Sequence, residues 1–189
     1  MRRTTELRDD ILTAARAEFA QYGLAGARID RIAAAAHASK ERLYAHFGNK
    51  EALFREVFVT DGAELFRSVT LCPEDVAEFV GGVYDLACRR PEHLRMVTWA
   101  RLEGFDLGAP EFEDAPPTAA ALAAIGAAQA DGHVDPSWRP EDLLVMLFSV
   151  GLAWAHLPHP DAVAQGEQET ARRRDVAIEA ARRLIATRP

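Results

Sequence analysis

The sequence predicts an all-α protein. Three observations carry that prediction. Alanine is abundant and β-branched residues are sparse, a composition that favours helix. No segment shows a repeated polar–apolar alternation of period two. Apolar residues recur instead at three- and four-residue steps, the spacing that lines one helical face. The chain has 189 residues, half of them apolar, enough for one large or two small domains with a sizeable core. About nine helices are expected from the start and stop signals.

The first helix is capped by Thr5, carries Leu7, Ile11, Ala15, Phe19 and Tyr22 on one face, and stops at Gly23. A second, short helix follows Gly26, with Ile29, Ile32, Ala33 and Ala36 inward. Neither Ala27 nor Arg28 is a good cap, so its start is weakly specified. His37 and Ala38 make a break. Ser39 caps a third helix, Lys40–Phe47, and Gly48 ends it. Asn49 caps a fourth helix that carries Leu53, Phe54, Val57 and Phe58 and runs to about Val69. Helices over Glu74–Arg89 and Glu92–Leu102 are separated by Pro91, which can open the second of them. Residues 104–117 read as a loop. Thr118–Ala130, Glu141–Ala155 after Pro140, and Gln168–Ala186 complete the series.

Net charge is −7, which alone argues against a nucleic-acid partner. Its distribution reverses the argument. Residues 1–50 hold nine Lys/Arg against six Asp/Glu, a net of +3, and the rest hold thirteen against twenty-three, a net of −10. A basic head on an acidic body suggests that the head meets phosphate while the body avoids it.

The third helix shows how. On a helical wheel Leu43 and Phe47 fall on one side, and Glu41, Arg42 and Ala45 roughly opposite. Lys40 and Tyr44 sit on one shoulder and His46 on the other. Two helices joined by a tight turn, the second basic and outward, form a helix-turn-helix, whose second helix enters a major groove. Arg42 can give two parallel hydrogen bonds to guanine. Glu41 either accepts from cytosine or favours the positive end of the helix dipole. Ala45 lets the backbone approach and can touch a thymine methyl. Ser39, Lys40, Tyr44, His46 and Lys50 suit phosphate oxygens. Arg28 stands at the uncapped start of the second helix, where a phosphate would satisfy open amides. A charged run between apolar anchors is also compatible with a plain solvated face.

The run from Ile29 to Phe54 resembles the N-terminal domain of the tetracycline-repressor (TetR) family. That pattern has an Ile-Ala helix, a turn, Ser-x-x-x-Leu-Tyr-x-His/Tyr-Phe and then Lys-Glu-x-Leu. Here Ile32-Ala33, Ser39, Leu43-Tyr44, His46-Phe47 and Lys50-Glu51-Ala52-Leu53 supply it. The resemblance covers about residues 5–55. It implies a DNA-binding domain over residues 1–49 and an effector-binding and dimerisation domain over 50–189. It also implies DNA contacts at Ser39, Lys40, Arg42, Tyr44, His46 and Lys50. There are two departures. His37 stands where the family usually has Gly, and His tolerates positive φ better than most residues. Ala27-Arg28 stands where a Thr often caps the second helix.

In the C-terminal part, Glu141–Ala155 is apolar almost all round. Gln168–Ala186 has two small-residue rows, Val176/Ala180/Leu184 and Ala177/Ala181/Ile185. Together they suit a four-helix interface in a homodimer, or else they pack inside one chain; the resemblance favours the dimer. Aromatic and Met residues there, Tyr84 and Phe148 among them, are ordinary core material. Yet Trp99, Trp138 and Trp154 are more tryptophan than a small core needs. The expected effector pocket is lined by His93, Met96, Trp99, Phe105, Phe112, Met146 and Trp154, with Arg101 and Glu103 as further polar groups. An apolar or aromatic small molecule is the expected effector.

Other classes find little support. His156 and His159 are split by Pro158 and have no carboxylate at ligand spacing, so no metal site or metal cofactor is expected. No phosphate loop, nucleophile elbow or HExxH occurs, so no catalytic residues and no enzyme are expected. Cys72 and Cys88 have no metal or redox spacing, which suits a reduced, cytoplasmic setting. The apolar run Leu143–Leu157 has fifteen residues where a membrane span needs about 20. The sequence thus reads as a ligand-responsive regulator, most simply a repressor, on a palindromic operator. The alternative is a helical protein–protein interaction module whose helix-turn-helix binds no DNA.

Overall fold

The computed structural model describes residues 4–106, 117–156 and 166–187. Among these residues it contains ten α-helices, one 3-10 turn and no strand. The helices are α1 (Thr4–Gly26), α2 (Ile29–Ala35), α3 (Lys40–Phe47), α4 (Lys50–Ser68), α5 (Val76–Arg89), α6 (Pro91–Leu102), α7 (Pro117–Ala130), α8 (Pro140–Gly151), α9 (Ala153–His156) and α10 (Glu167–Ile185). The 3-10 turn, Pro73–Asp75, precedes α5, so the helix expected from Glu74 begins two residues later. Thr5 lies inside α1 and does not cap it. The loop expected over 104–117 falls largely outside the described residues.

The chain forms two compact units. One comprises Met1–Glu64 and Pro91–Glu111, the other Leu65–Arg90 and Phe112–Pro189. This is a division by packing; the boundary expected at residue 49 is one of function.

The first unit is built on the stripe of α1. Leu7, Ile11, Ala15 and Phe19 are buried with Ile32 and Ala33 of α2, Leu43 and Phe47 of α3, Leu53, Phe54 and Val57 of α4, and Met96 and Ala100 of α6. Phe54 sits at the centre, edge-on to Phe19 and to Phe105, each at 5.0 Å between centroids. Arg16 of α1 donates through Nε to buried Asp61 of α4 at 2.6 Å. A buried carboxylate needs such a partner, because an uncompensated charge there is strongly destabilising. At Gly23 the helical path of α1 breaks, with φ 68° and ψ −177°. A side chain there would also put its Cβ 2.8 Å from the Trp99 ring, so glycine is required twice over.

The second unit packs α5 against α8 and α10, with α7 beside α8. Val76, Phe79, Val80 and Val83 of α5 meet Leu143 and Leu147 of α8 and Ala177, Ile178 and Ala181 of α10, with Ile125 and Ala128 of α7. The helix expected over Glu141–Ala155 is interrupted: α8 ends at Gly151, Leu152 is its C-cap, and α9 follows. The break falls at a close approach: a Cβ on Gly151 would lie 2.6 Å from Val83 Cγ1, so the position takes glycine, a residue of low helix propensity. Of the two small-residue rows on α10, Ala177, Ala181 and Ile185 are buried within the chain, whereas Val176 and Ala180 are exposed.

Candidate nucleic-acid interface

Local chemistry builds α3. The Ser39 hydroxyl accepts from the Arg42 amide at 3.3 Å, and Gly48, at φ 76°, closes α3 with its amide on the Tyr44 carbonyl. Asn49 Oδ1 then accepts from the Ala52 amide at 2.7 Å and starts α4. His37 adopts φ 51°, the left-handed conformation that the turn between α2 and α3 demands. These features fix α3 as a short rod seated on Leu43 and Phe47, both buried. Glu41, Arg42, Tyr44 and Ala45 are exposed and His46 is half-buried, so one face of α3 is open to a partner.

The charges on this surface are partly engaged. Lys40 forms an exposed ion pair with Asp30 of α2. Exposed pairs contribute little, and phosphate could displace the carboxylate readily. The Glu41 carboxyl is held below its usual range, first by its own backbone amide and then by the Ser39 hydroxyl. That places its charge at the start of α3, where the helix dipole favours an anion. Lys50 Nζ lies 3.3 Å from the carbonyl oxygens of both Ala25 and Ala27.

The start of α2 is satisfied in a way its sequence does not announce. Arg28 is the N-cap and makes no side-chain cap. Its amide donates instead to Glu18 Oε1 of α1 at 2.8 Å. Glu18 is buried, and Arg31 Nε donates to the same oxygen at 2.7 Å. That carboxylate, more than any other cause, raises the Arg31 pKa. Arg31 also lies over the Tyr22 ring, 4.2 Å from its centroid, and donates to the Gly26 carbonyl. A phosphate is therefore not needed to satisfy the Arg28 amide. The Arg28 side chain itself is exposed. The signal for Glu18 was present in the sequence: it falls seven residues after Ile11, on the apolar stripe of α1.

The residues expected to line an effector pocket are spread over the two units. Met96 and His93 are buried in the first unit, His93 with its ring 5.1 Å from that of Phe58. Trp99, in the same unit, donates its indole N–H to the Ala20 carbonyl at 3.3 Å and so ties α6 to α1. Phe105 packs on Phe54. Met146 is 45 % exposed on the outer face of α8 and belongs to a surface. Trp154 stands edge-on to Tyr84 at 5.7 Å in the second unit. Phe112 lies outside the described residues. Trp138 donates to the Leu184 carbonyl at 3.3 Å, so each tryptophan has a packing role. Glu103, offered as a polar pocket group, is instead bound to backbone amides of α1. His156 ends α9 and His159 lies outside the described residues. No group of three or more His, Cys, Asp or Glu among the described residues could hold a metal ion. No helix among them is long and apolar enough to cross a membrane.

Comparison with known proteins gives matches along most of the chain. Residues 11–57 match the family model described as bacterial regulatory proteins, tetR family, and residues 75–183 the tetracyclin repressor-like C-terminal domain. The chain is 35 % identical over 181 residues to the HTH-type transcriptional repressor SCO4008 of Streptomyces coelicolor, spanning 93 % of each. Among solved structures it is similar to SCO4942 of Streptomyces coelicolor, assigned as a transcriptional regulator. The TM-score is 0.80 at 35 % identity, over 94 % of this chain and 97 % of that one. A TetR family transcription regulator from Marinobacter aquaeolei VT8 shares the fold, with TM-score 0.73 at 19 % identity over 97 % of each chain.

Proposed function

This chain belongs to the tetracycline-repressor family of bacterial transcriptional regulators, and on that footing we propose how its parts divide the work. It is a ligand-responsive DNA-binding regulator and not an enzyme. We propose that it is a repressor acting in the cytoplasm, with residues 1–49 meeting the operator and 50–189 handling effector and dimerisation. Two copies of α3 enter successive major grooves of a palindrome whose half-sites stand about one helical turn apart, or somewhat more. Arg42 reads a base, Ala45 and Glu41 face the groove floor, and Arg28, Ser39, Lys40, Tyr44, His46 and Lys50 hold phosphates.

The observation that carries this reading is the exposure of α3. Its two apolar anchors are buried while Glu41, Arg42 and Ala45 are all open. The match of residues 11–57 to the tetR-family regulatory model favours a partner for that face over plain solvation.

The homodimer forms through the last two long segments, residues 141–155 and 168–186. In its support, Val145, Met146 and Val176 are 63 %, 45 % and 43 % exposed, an apolar surface that association would cover. The effector is a small molecule, apolar or aromatic, bound among the aromatic residues beyond residue 49. It releases DNA by favouring a conformer whose two heads have the wrong separation, which requires that it bind that conformer better.

The test is selection of duplexes from a randomised pool by the full-length protein, followed by mobility shift across a salt series. A selected palindrome, retarded less as salt rises, is the expected result. Absence of any salt-sensitive retardation sinks the reading and returns the interaction-module alternative. Sedimentation of the free protein checks the dimer.

A further inference from the structure

We infer that Glu103, at the end of α6, is a positioning residue for DNA recognition. Its carboxylate sets the backbone of the Gly23–Arg28 turn, and that turn sets where α2 and two of the phosphate-facing cations stand. The inference rests on the DNA-binding reading of α3.

The turn begins where α1 leaves its helical path, so a helical ladder satisfies only part of its backbone: the Ala27 amide still donates to the Gly23 carbonyl at 3.2 Å. Charged side chains take other groups of the turn. The amide of Leu24 donates to Glu103 Oε2 at 2.9 Å and that of Ala25 to Glu103 Oε1 at 3.1 Å. One carboxylate thus spans two consecutive amides, in charge-assisted bonds stronger than neutral ones. The carbonyls of Ala25 and Ala27 accept from Lys50, that of Gly26 accepts from Arg31, and the Arg28 amide donates to Glu18. At these positions carboxylates take the amides and cations take the carbonyls, while the Ala27 amide and the Gly23 and Arg28 carbonyls are bonded to backbone. Glu18, Arg31 and Lys50 belong to the head or to the first turn of α4. Glu103 comes from 78 residues beyond Ala25.

Glu103 is itself held in place. Trp99 lies one helical turn earlier on the same face of α6, and its indole N–H is bonded to the Ala20 carbonyl. On the other side Gly104, at φ 62°, ends the helix, with the Phe105 amide on the Ala100 carbonyl at 2.9 Å. The Phe105 ring is anchored on Phe54. Glycine at position 23 leaves room for both Trp99 and Glu103 to reach α1. A shift of α6 is therefore passed to the turn through a carboxylate with little freedom of its own.

The consequence concerns register. Arg28 and Lys50 are both fastened to this turn, whereas Arg42 stands on α3. Sequence-specific binding needs phosphate and base contacts together; binding to random DNA needs only charge. Loss of Glu103 frees the turn and breaks the registration without changing the charge that meets phosphate.

The experiment uses the full-length protein, a duplex selected by the wild type and a random-sequence duplex. Glu103→Ala is expected to weaken binding to the selected duplex about tenfold, the factor that follows if one molecule in ten keeps the turn in place. Affinity for the random duplex should change by less than about twofold. Hydrogen exchange at the Leu24 and Ala25 amides should accelerate. Glu103→Gln keeps one carbonyl acceptor and should fall between the two, and it takes the place of the alanine variant if that variant does not fold. Equal losses on both duplexes, unchanged selected-duplex binding, or amides that stay protected each overturn the inference. A wild type that selects no duplex overturns the DNA-binding reading, and this inference with it.

Discussion

The ammonium of Lys50 lies 3.3 Å from the carbonyl oxygens of Ala25 and Ala27, at the turn between α1 and α2. A cation expected on phosphate is thus already seated on backbone. The two roles are compatible, since an ammonium has three donors.

Lys50→Ala should weaken binding to every duplex and lower the slope of log affinity against log salt by about one, with the larger loss on the selected duplex because Lys50 also holds the Gly23–Arg28 turn. Lys50→Arg should retain the slope. Anisotropy titrations over a salt series measure both. A slope that does not move in Lys50→Ala would show that this charge never meets phosphate.

Arg42→Ala should act differently, because Arg42 is exposed on the open face of α3. Preference at one base pair should relax, at ~1–3 kcal/mol if the contact is bidentate. Affinities across a panel of single-base operator variants give the profile. An unchanged profile removes Arg42 from base reading.

His37, at φ 51°, stands in a conformation that glycine adopts freely and β-branched residues resist. His37→Gly should leave the stability unchanged or raise it. His37→Val should lower it by ~1–2 kcal/mol. Denaturant unfolding compares them, and equal destabilisation by both substitutions would mean that side-chain contacts of His37, not its backbone, matter.

Glu169 supplies a pH prediction. Its carboxyl is pushed down to about 2, chiefly by hydrogen bonds from Arg172 and then from Arg173. A depressed carboxyl pKa stabilises the fold above the unfolded value, ordinarily 4.5, and loses that contribution as pH falls toward 2. The difference in thermal midpoint between wild type and Glu169→Gln should therefore be full above pH 4.5, narrow below it and close near pH 2. Arg172 is exposed and Glu169 half-buried, so that part of the difference should also shrink with salt, while the bond from buried Arg173 is screened less. A gap that widens in acid contradicts the assignment.

Helix α3 was legible from sequence down to its limits. Ser39, Gly48 and Asn49 act on backbone groups within four residues of themselves, and a local rule can find such contacts. The burial of Leu43 and Phe47 followed from spacing alone. Helix starts at Pro91 and Pro140 were legible for the same reason: the missing N–H of proline is a local fact.

What the sequence by itself determined was most of the helices and of their inward faces, the open face of α3 and the family. Only the tertiary structure decided what holds them to one another. Glu103 reaches Leu24 across 79 residues, Lys50 reaches Ala25 across 25, and Glu18 takes the Arg28 amide from the neighbouring helix. Nothing in the spacing of a carboxylate names the amide it will meet. At Gly151 Val83 comes too close for a side chain, a relation between two helices far apart in sequence. Capping and periodicity are short-range interactions written within a few residues. A partner brought close by folding is chosen by the packing of the core, and a linear reading cannot see it.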